Sequence, residues 1–83
     1  MELTSMKNIG AEMERKLNSV GISSAEQLSH IGSKEAFIRL KAAYPEICLV
    51  HLYTLHGAVN NLDFNMLPQE IKEDLRSFSD SLK

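Results

Sequence analysis

The chain has one cysteine, two prolines, four glycines and no tryptophan among its 83 residues. A lone thiol, Cys48, excludes an internal disulfide and fits a reducing, cytoplasmic setting. Apolar runs of the 18 or more residues that a helix needs to span a membrane are missing, and Met1-Glu2-Leu3-Thr4-Ser5 lacks the basic-then-apolar layout of a signal peptide. There is no excess of positive charge: the formal net charge is −2, so attraction to phosphate would have to come from a local patch. Asn-Gly and Asp-Gly hairpin turns are absent, as are alternating apolar runs, which argues against β-strands. The glycine-rich nucleotide loop and the HExxH zinc pattern are also missing, and no enzymatic activity is expected.

What is there is ordinary globular material, 43% hydrophobic and 24% charged. At 9.3 kDa the chain makes one domain. Scaling with mass gives roughly 5,000 Å² of folded surface against about 13,500 Å² unfolded, enough for a modest core.

Gly10, Gly21 and Gly32 fall at equal eleven-residue spacing, each after a β-branched residue, and read as helix boundaries. Between the first two, Met13, Leu17 and Val20 recur at helical spacing, and Gly21 supplies a left-handed closing residue. Ser23 and Glu26 form a capping box for a short second helix with Leu28 and Ile31. Ser33 caps a third, whose buried face holds Phe37, Leu40 and Tyr44 before Pro45 stops it. From Ile47 to Leu62 a helix apolar on most sides, with Cys48, Leu52, Leu55, Val59 and Leu62 in one stripe, belongs in the middle. Gly57 and Ala58 inside it mark a place of close approach. After a turn at Asp63-Phe64-Asn65, Pro68 opens a last helix with Ile71, Leu75 and Phe78 inward. The fold class is all-α: a compact bundle of about five short helices over residues 1–83, with its core in about 6–76.

Met6-Lys7-Asn8-Ile9-Gly10, followed by the helix through Leu17, has the layout of a helix-hairpin-helix element. In such a turn the backbone amides converge outward, and the helix dipole behind them favours an anion. Ile9 anchors the bend, Gly10 lets the main chain approach a phosphate oxygen, and Asn8 tolerates the left-handed region in place of a glycine. Beyond the bend, Leu17, Gly21-Ile22, Ser24 to Leu28, Gly32, Arg39-Leu40-Lys41, the apolar run Leu49 to Ala58, and Leu67-Pro68 to Leu75 stand in an order that resembles the TfoX C-terminal domain family. That resemblance implies a compact all-α unit related to helix-hairpin-helix proteins, a bacterial source, and DNA-linked regulation of the competence type. A complete competence regulator is not expected, because the N-terminal domain of longer members does not precede it.

Two readings of function stand side by side. In the first, a non-enzymatic module makes weak, sequence-independent contact with a nucleic-acid backbone through Lys7, Asn8, Ile9, Gly10 and Ala11. Lys34, Arg39 and Lys41 assist from the more basic middle of the chain, where residues 31–45 carry a net charge of +2. Glu12 and Glu14 oppose that contact. In the second, the hairpin is purely structural and a surface patch recruits a regulatory protein or a second copy of the chain, with Phe64, Met66, Phe78 and Leu82 as candidate contacts. No metal or other cofactor is implied: Cys48, His51 and His56 fall short of a zinc set, and the thiol reads as a small buried hydrophobe within the leucine stripe.

Overall fold

The computed structural model describes residues 1–82, and among these there is no strand. Five helices follow one another: α1 (Ala11–Ser19), α2 (Ala25–Ile31), α3 (Ser33–Ala43), α4 (Leu49–Val59) and α5 (Gln69–Ser81). Single 3-10 turns at Leu3–Ser5 and Phe64–Met66 precede α1 and α5. The accessible surface, 4812 Å², matches what the mass requires of one folded domain.

α1 and α4 end in the same way with different residues. At the end of α1, Ile22 N donates to Leu17 O (3.0 Å) and Gly21 N to Asn18 O (3.1 Å), with Gly21 at φ +88°. At the end of α4, Leu62 N donates to Gly57 O (2.8 Å) and Asn61 N to Ala58 O (3.3 Å), with Asn61 at φ +57°. Both are Schellman closures, in which a left-handed residue lets two following amides satisfy the last carbonyls. Leu17 and Ile22, fully buried, supply the apolar contact across the first.

The helix starts differ from the sequence reading in several details. Ser24, not Ser23, caps α2 by accepting from Gln27 N at 3.1 Å, while the Ser23 amide and hydroxyl both donate to Gln27 Oε1 at 2.7 Å. The reciprocal pair is thus displaced by one residue and uses glutamine rather than Glu26. Ser33 does not cap α3. That position belongs to Gly32, at φ +90°, which serves both as the end of α2 and the start of α3. α4 is shorter than the apolar run suggests, because Ile47 is held in a turn by Tyr44 O (3.0 Å) and Asn61 ends the helix. Cys48 lies outside the leucine stripe altogether: it is exposed and caps α4.

The centre of the molecule is α4, with α3 and α5 along its flanks and the Phe64–Met66 turn across its end. Phe37 and Leu40 from α3, Leu52 and Leu55 from α4, and Leu75 from α5 are fully buried, joined by Leu3, Leu17, Ile22, Leu28 and Ile47. Burying side chains of this size contributes about 1.5–3 kcal/mol each against an overall stability of only about 4–12 kcal/mol for a domain of this length.

Candidate nucleic-acid interface

The bend begins where the first 3-10 turn ends. Leu3, wholly buried, fixes the segment to the core, and Met6 follows in extended conformation. The chain reverses at Asn8, whose φ of +71° is one of two left-handed values among non-glycine residues described. Asparagine accepts this conformation because its short amide can bond nearby backbone. Here it bonds backbone far away in sequence. Asn8 Nδ2 donates to Leu62 O (2.9 Å) and Thr54 O (3.4 Å), and Asn8 Oδ1 accepts from Phe64 N (3.3 Å).

Gly57 makes the approach feasible. A Cβ at that position would lie 2.6 Å from Asn8 Nδ2 and 2.5 Å from Leu62 O, closer than real carbon contacts come. The glycine foreseen as a packing site therefore admits the hairpin side chain and the returning chain rather than a neighbouring helix.

Ile9 is 5% exposed and anchors the bend from inside, as expected, with its amide on Met6 O at 3.4 Å. Gly10 takes the N-cap of α1 in ordinary extended backbone. Glu14 N closes the first helical bond onto Gly10 O (3.0 Å), and the amides of Gly10, Ala11, Glu12 and Met13 have no acceptor among the described residues. Gly10 and Ala11 are exposed, and so is Lys7 beside them. This cluster of open donors at the positive end of a helix is suited to an anion. Glu12, in the same helical turn, is paired with Arg15, whose hydrogen bond and charge hold the Glu12 carboxyl below the usual range. Lys16 lies 4.0 Å from the same carboxylate, so the acid is partly neutralised by its own helix.

The other sequence candidates each have a partner of their own. Lys34 pairs with Asp74 of α5 at 3.0 Å and lies over the Phe78 ring, 5.2 Å from its centre. Arg39 pairs with Glu35 one turn back (3.2 Å), and Lys41 donates to Ile47 O (3.0 Å) in the α3–α4 connection. Each of the three thus has a partner within α3, α5 or that connection, whereas Asn8 is bound to the end of α4. The structure joins Lys7 through Ala11 in one bend.

Sequence reasoning missed two polar pairs. Ser33, buried, shares a 3.1 Å hydrogen bond with His56 Nδ1 and so links α3 to α4. Partial burial and the charge of Lys34 lower the pKa of His56, with Asp74 acting in the opposite direction. At the start of α4, the Cys48 amide donates to His51 Nδ1 (3.1 Å) while the His51 amide caps onto Sγ, a reciprocal box with a thiol in place of a hydroxyl. The Cys-x-x-His spacing carried that signal. No group of three or more His, Cys, Asp or Glu side chains among the described residues could hold a metal ion.

The TfoX C-terminal domain model matches residues 1–79. The chain belongs to the TfoX C-terminal domain family. Among solved structures, an uncharacterized protein from Listeria monocytogenes in a triclinic crystal form is 35% identical, with a TM-score of 0.95 over 99% of this chain and 93% of that one. A tetragonal form of a Listeria monocytogenes protein of unknown function gives the same identity and TM-score, over 99% of this chain and 100% of the other. Among curated proteins none matches the chain.

Proposed function

We propose that this TfoX C-terminal domain is a non-enzymatic module of DNA-linked, competence-type regulation in the bacterial cytoplasm, and that its hairpin makes weak, sequence-independent contact with a phosphate backbone. The observation that supports this reading is the set of open amides at Gly10, Ala11, Glu12 and Met13, beside exposed Lys7 on a bend clamped by Asn8. Main-chain donors read phosphate and not bases, so duplexes of different sequence should bind alike. With about two or three phosphates neutralised, affinity should fall about 10–40-fold between 50 and 200 mM salt.

Fluorescence polarisation with labelled duplex and single-stranded DNA at low salt tests it. Binding that fades with salt and weakens about tenfold in Lys7→Glu is the expected result. Absence of binding to both forms, or unchanged binding by the variant, overturns it.

A second reading is supported by the surface itself. Val50 is 53% exposed and Met66 70% exposed on an 83-residue domain, and Lys34 and Arg39 are already paired with carboxylates. These features suit recruitment of a protein partner with a purely structural hairpin.

A further inference from the structure

We propose that the groove between α3 and the end of α5 docks a segment of a partner protein that carries a bulky apolar side chain next to a carboxylate. This gives the second reading a surface and a partner chemistry, and it stands independently of the hairpin. The groove has two compartments with Lys41 at their junction. One, about 230 Å³, is walled by Ile38, Ala42 and Leu82. The other, about 360 Å³, runs past Cys48 and Leu49 to Arg76. Ile38 and Leu82 are each 38% exposed, so branched apolar surface lies open to water on both sides of the first compartment. Covering it with an apolar side chain of a partner removes that surface from water, which is favourable.

The charge of the second compartment selects the partner. Arg15, Lys16, Lys34 and Arg39 are each within 4.0 Å of a carboxylate oxygen. Four described cations have no such ion pair, Lys7, Lys72 and the two of the groove: Lys41 Nζ has the neutral carbonyl of Ile47 as its acceptor, and Arg76 has no carboxylate partner among the described residues. An exposed guanidinium with all its donors available is suited to bidentate capture of a carboxylate. The start of α4, which opens into the same compartment at Cys48 and Leu49, adds partial positive charge. Asp80 also lines the compartment and has an interaction of its own. Apolar walls and that acid suit a peptide better than a polyphosphate backbone, whose affinity depends on dense cationic charge.

The test uses the full chain labelled with 15N and three probes: an acetylated amphipathic peptide of leucines and glutamates, its leucine–lysine counterpart, and a short DNA duplex. The glutamate peptide should produce saturable amide shifts at Ile38, Lys41, Ala42, Arg76 and Leu82, and the lysine peptide none. Arg76→Glu, at an exposed and unpaired position, should weaken the glutamate peptide at least fivefold, and Ile38→Ser should do the same without changing charge. No saturable shift with the glutamate peptide, equal binding of the lysine peptide, or unchanged binding by both variants overturns the proposal. So does a duplex that moves the groove resonances where the peptide does not. Shifts at residues 7–13 with DNA report on the hairpin alone, so either reading can fail without the other.

Discussion

Asn8 Nδ2 sits where a side chain on Gly57 would begin, 2.6 Å from the ideal Cβ position, and from there it holds Leu62 O at 2.9 Å. The bend near the amino end and the closure of the central helix are therefore one assembly. Its consequences can be measured.

Gly57→Ala should destabilise the domain although alanine favours a helix. The propensity gain is about 1 kcal/mol, but the Cβ would meet Asn8 Nδ2 and backbone oxygen of Leu62, which cannot swing aside as a flexible side chain would. Forced repacking costs about 1–3 kcal/mol, and separation of Asn8 from its carbonyls adds to it. Urea denaturation should show a net loss of about 1–3 kcal/mol, with Tm lower by about 4–8 °C per kcal/mol. A variant as stable as the parent would show that the two segments are not in register.

Asn8→Gly and Asn8→Ala separate conformation from hydrogen bonding. Glycine accepts φ +71° but leaves Leu62 O and Phe64 N without their partner, while alanine loses both advantages. The order of stability should be Asn, then Gly, then Ala, with alanine lower than asparagine by about 2–4 kcal/mol. Thermal melts followed by circular dichroism read the order directly.

Cys48 should react with a disulfide reagent such as DTNB in the native protein, at a rate that denaturant does not raise by orders of magnitude, because the thiol is exposed. Cys48→Ser should be neutral or slightly stabilising, since serine is a better N-cap, and Cys48→Ala should cost about 0.5–1 kcal/mol. A thiol protected until unfolding would restore the buried position that the leucine stripe suggested.

His56 makes stability depend on pH in a defined direction. Its folded pKa is lowered, first by burial and then by Lys34, so the unfolded chain binds the proton more readily. Its contribution is fully present above about pH 6.5, the unfolded value, and declines as pH falls through the depressed folded value. His56→Gln should flatten the stability profile as pH falls below about 6.5. Equal slopes in parent and variant would show that another group dominates there.

Much of this architecture is legible in the sequence. Leu17, Phe37, Leu40, Leu52, Leu55 and Leu75 announce their burial by helical spacing, and Gly21 and Pro45 stop helices for local reasons that need no tertiary context. Asn61 is harder to read, because asparagine closes a helix less often than glycine and the apolar residue after it, Leu62, prolongs the stripe. Cys48 misled in the same way: its apolar neighbours hid a capping role that becomes visible in His51 three residues on. The bend was readable from Asn8-Ile9-Gly10, but the destination of the Asn8 side chain was not, since its partners lie at Thr54, Leu62 and Phe64. The pairing of Lys34 with Asp74 was hidden for the same reason. Charge counts along the chain report what is present and not what has already been matched by a distant segment.

The Asn8 clamp also sets an order of events. Its acceptors and donor are separated from it by 46 to 56 positions, so during synthesis the amino-terminal bend stays loose until nearly the whole domain has left the ribosome. Closing so large a loop carries an entropic penalty that local helices escape. Nascent chains stalled before Phe64 should thus hold α1 without a fixed orientation, and the hairpin becomes one of the last parts to lock.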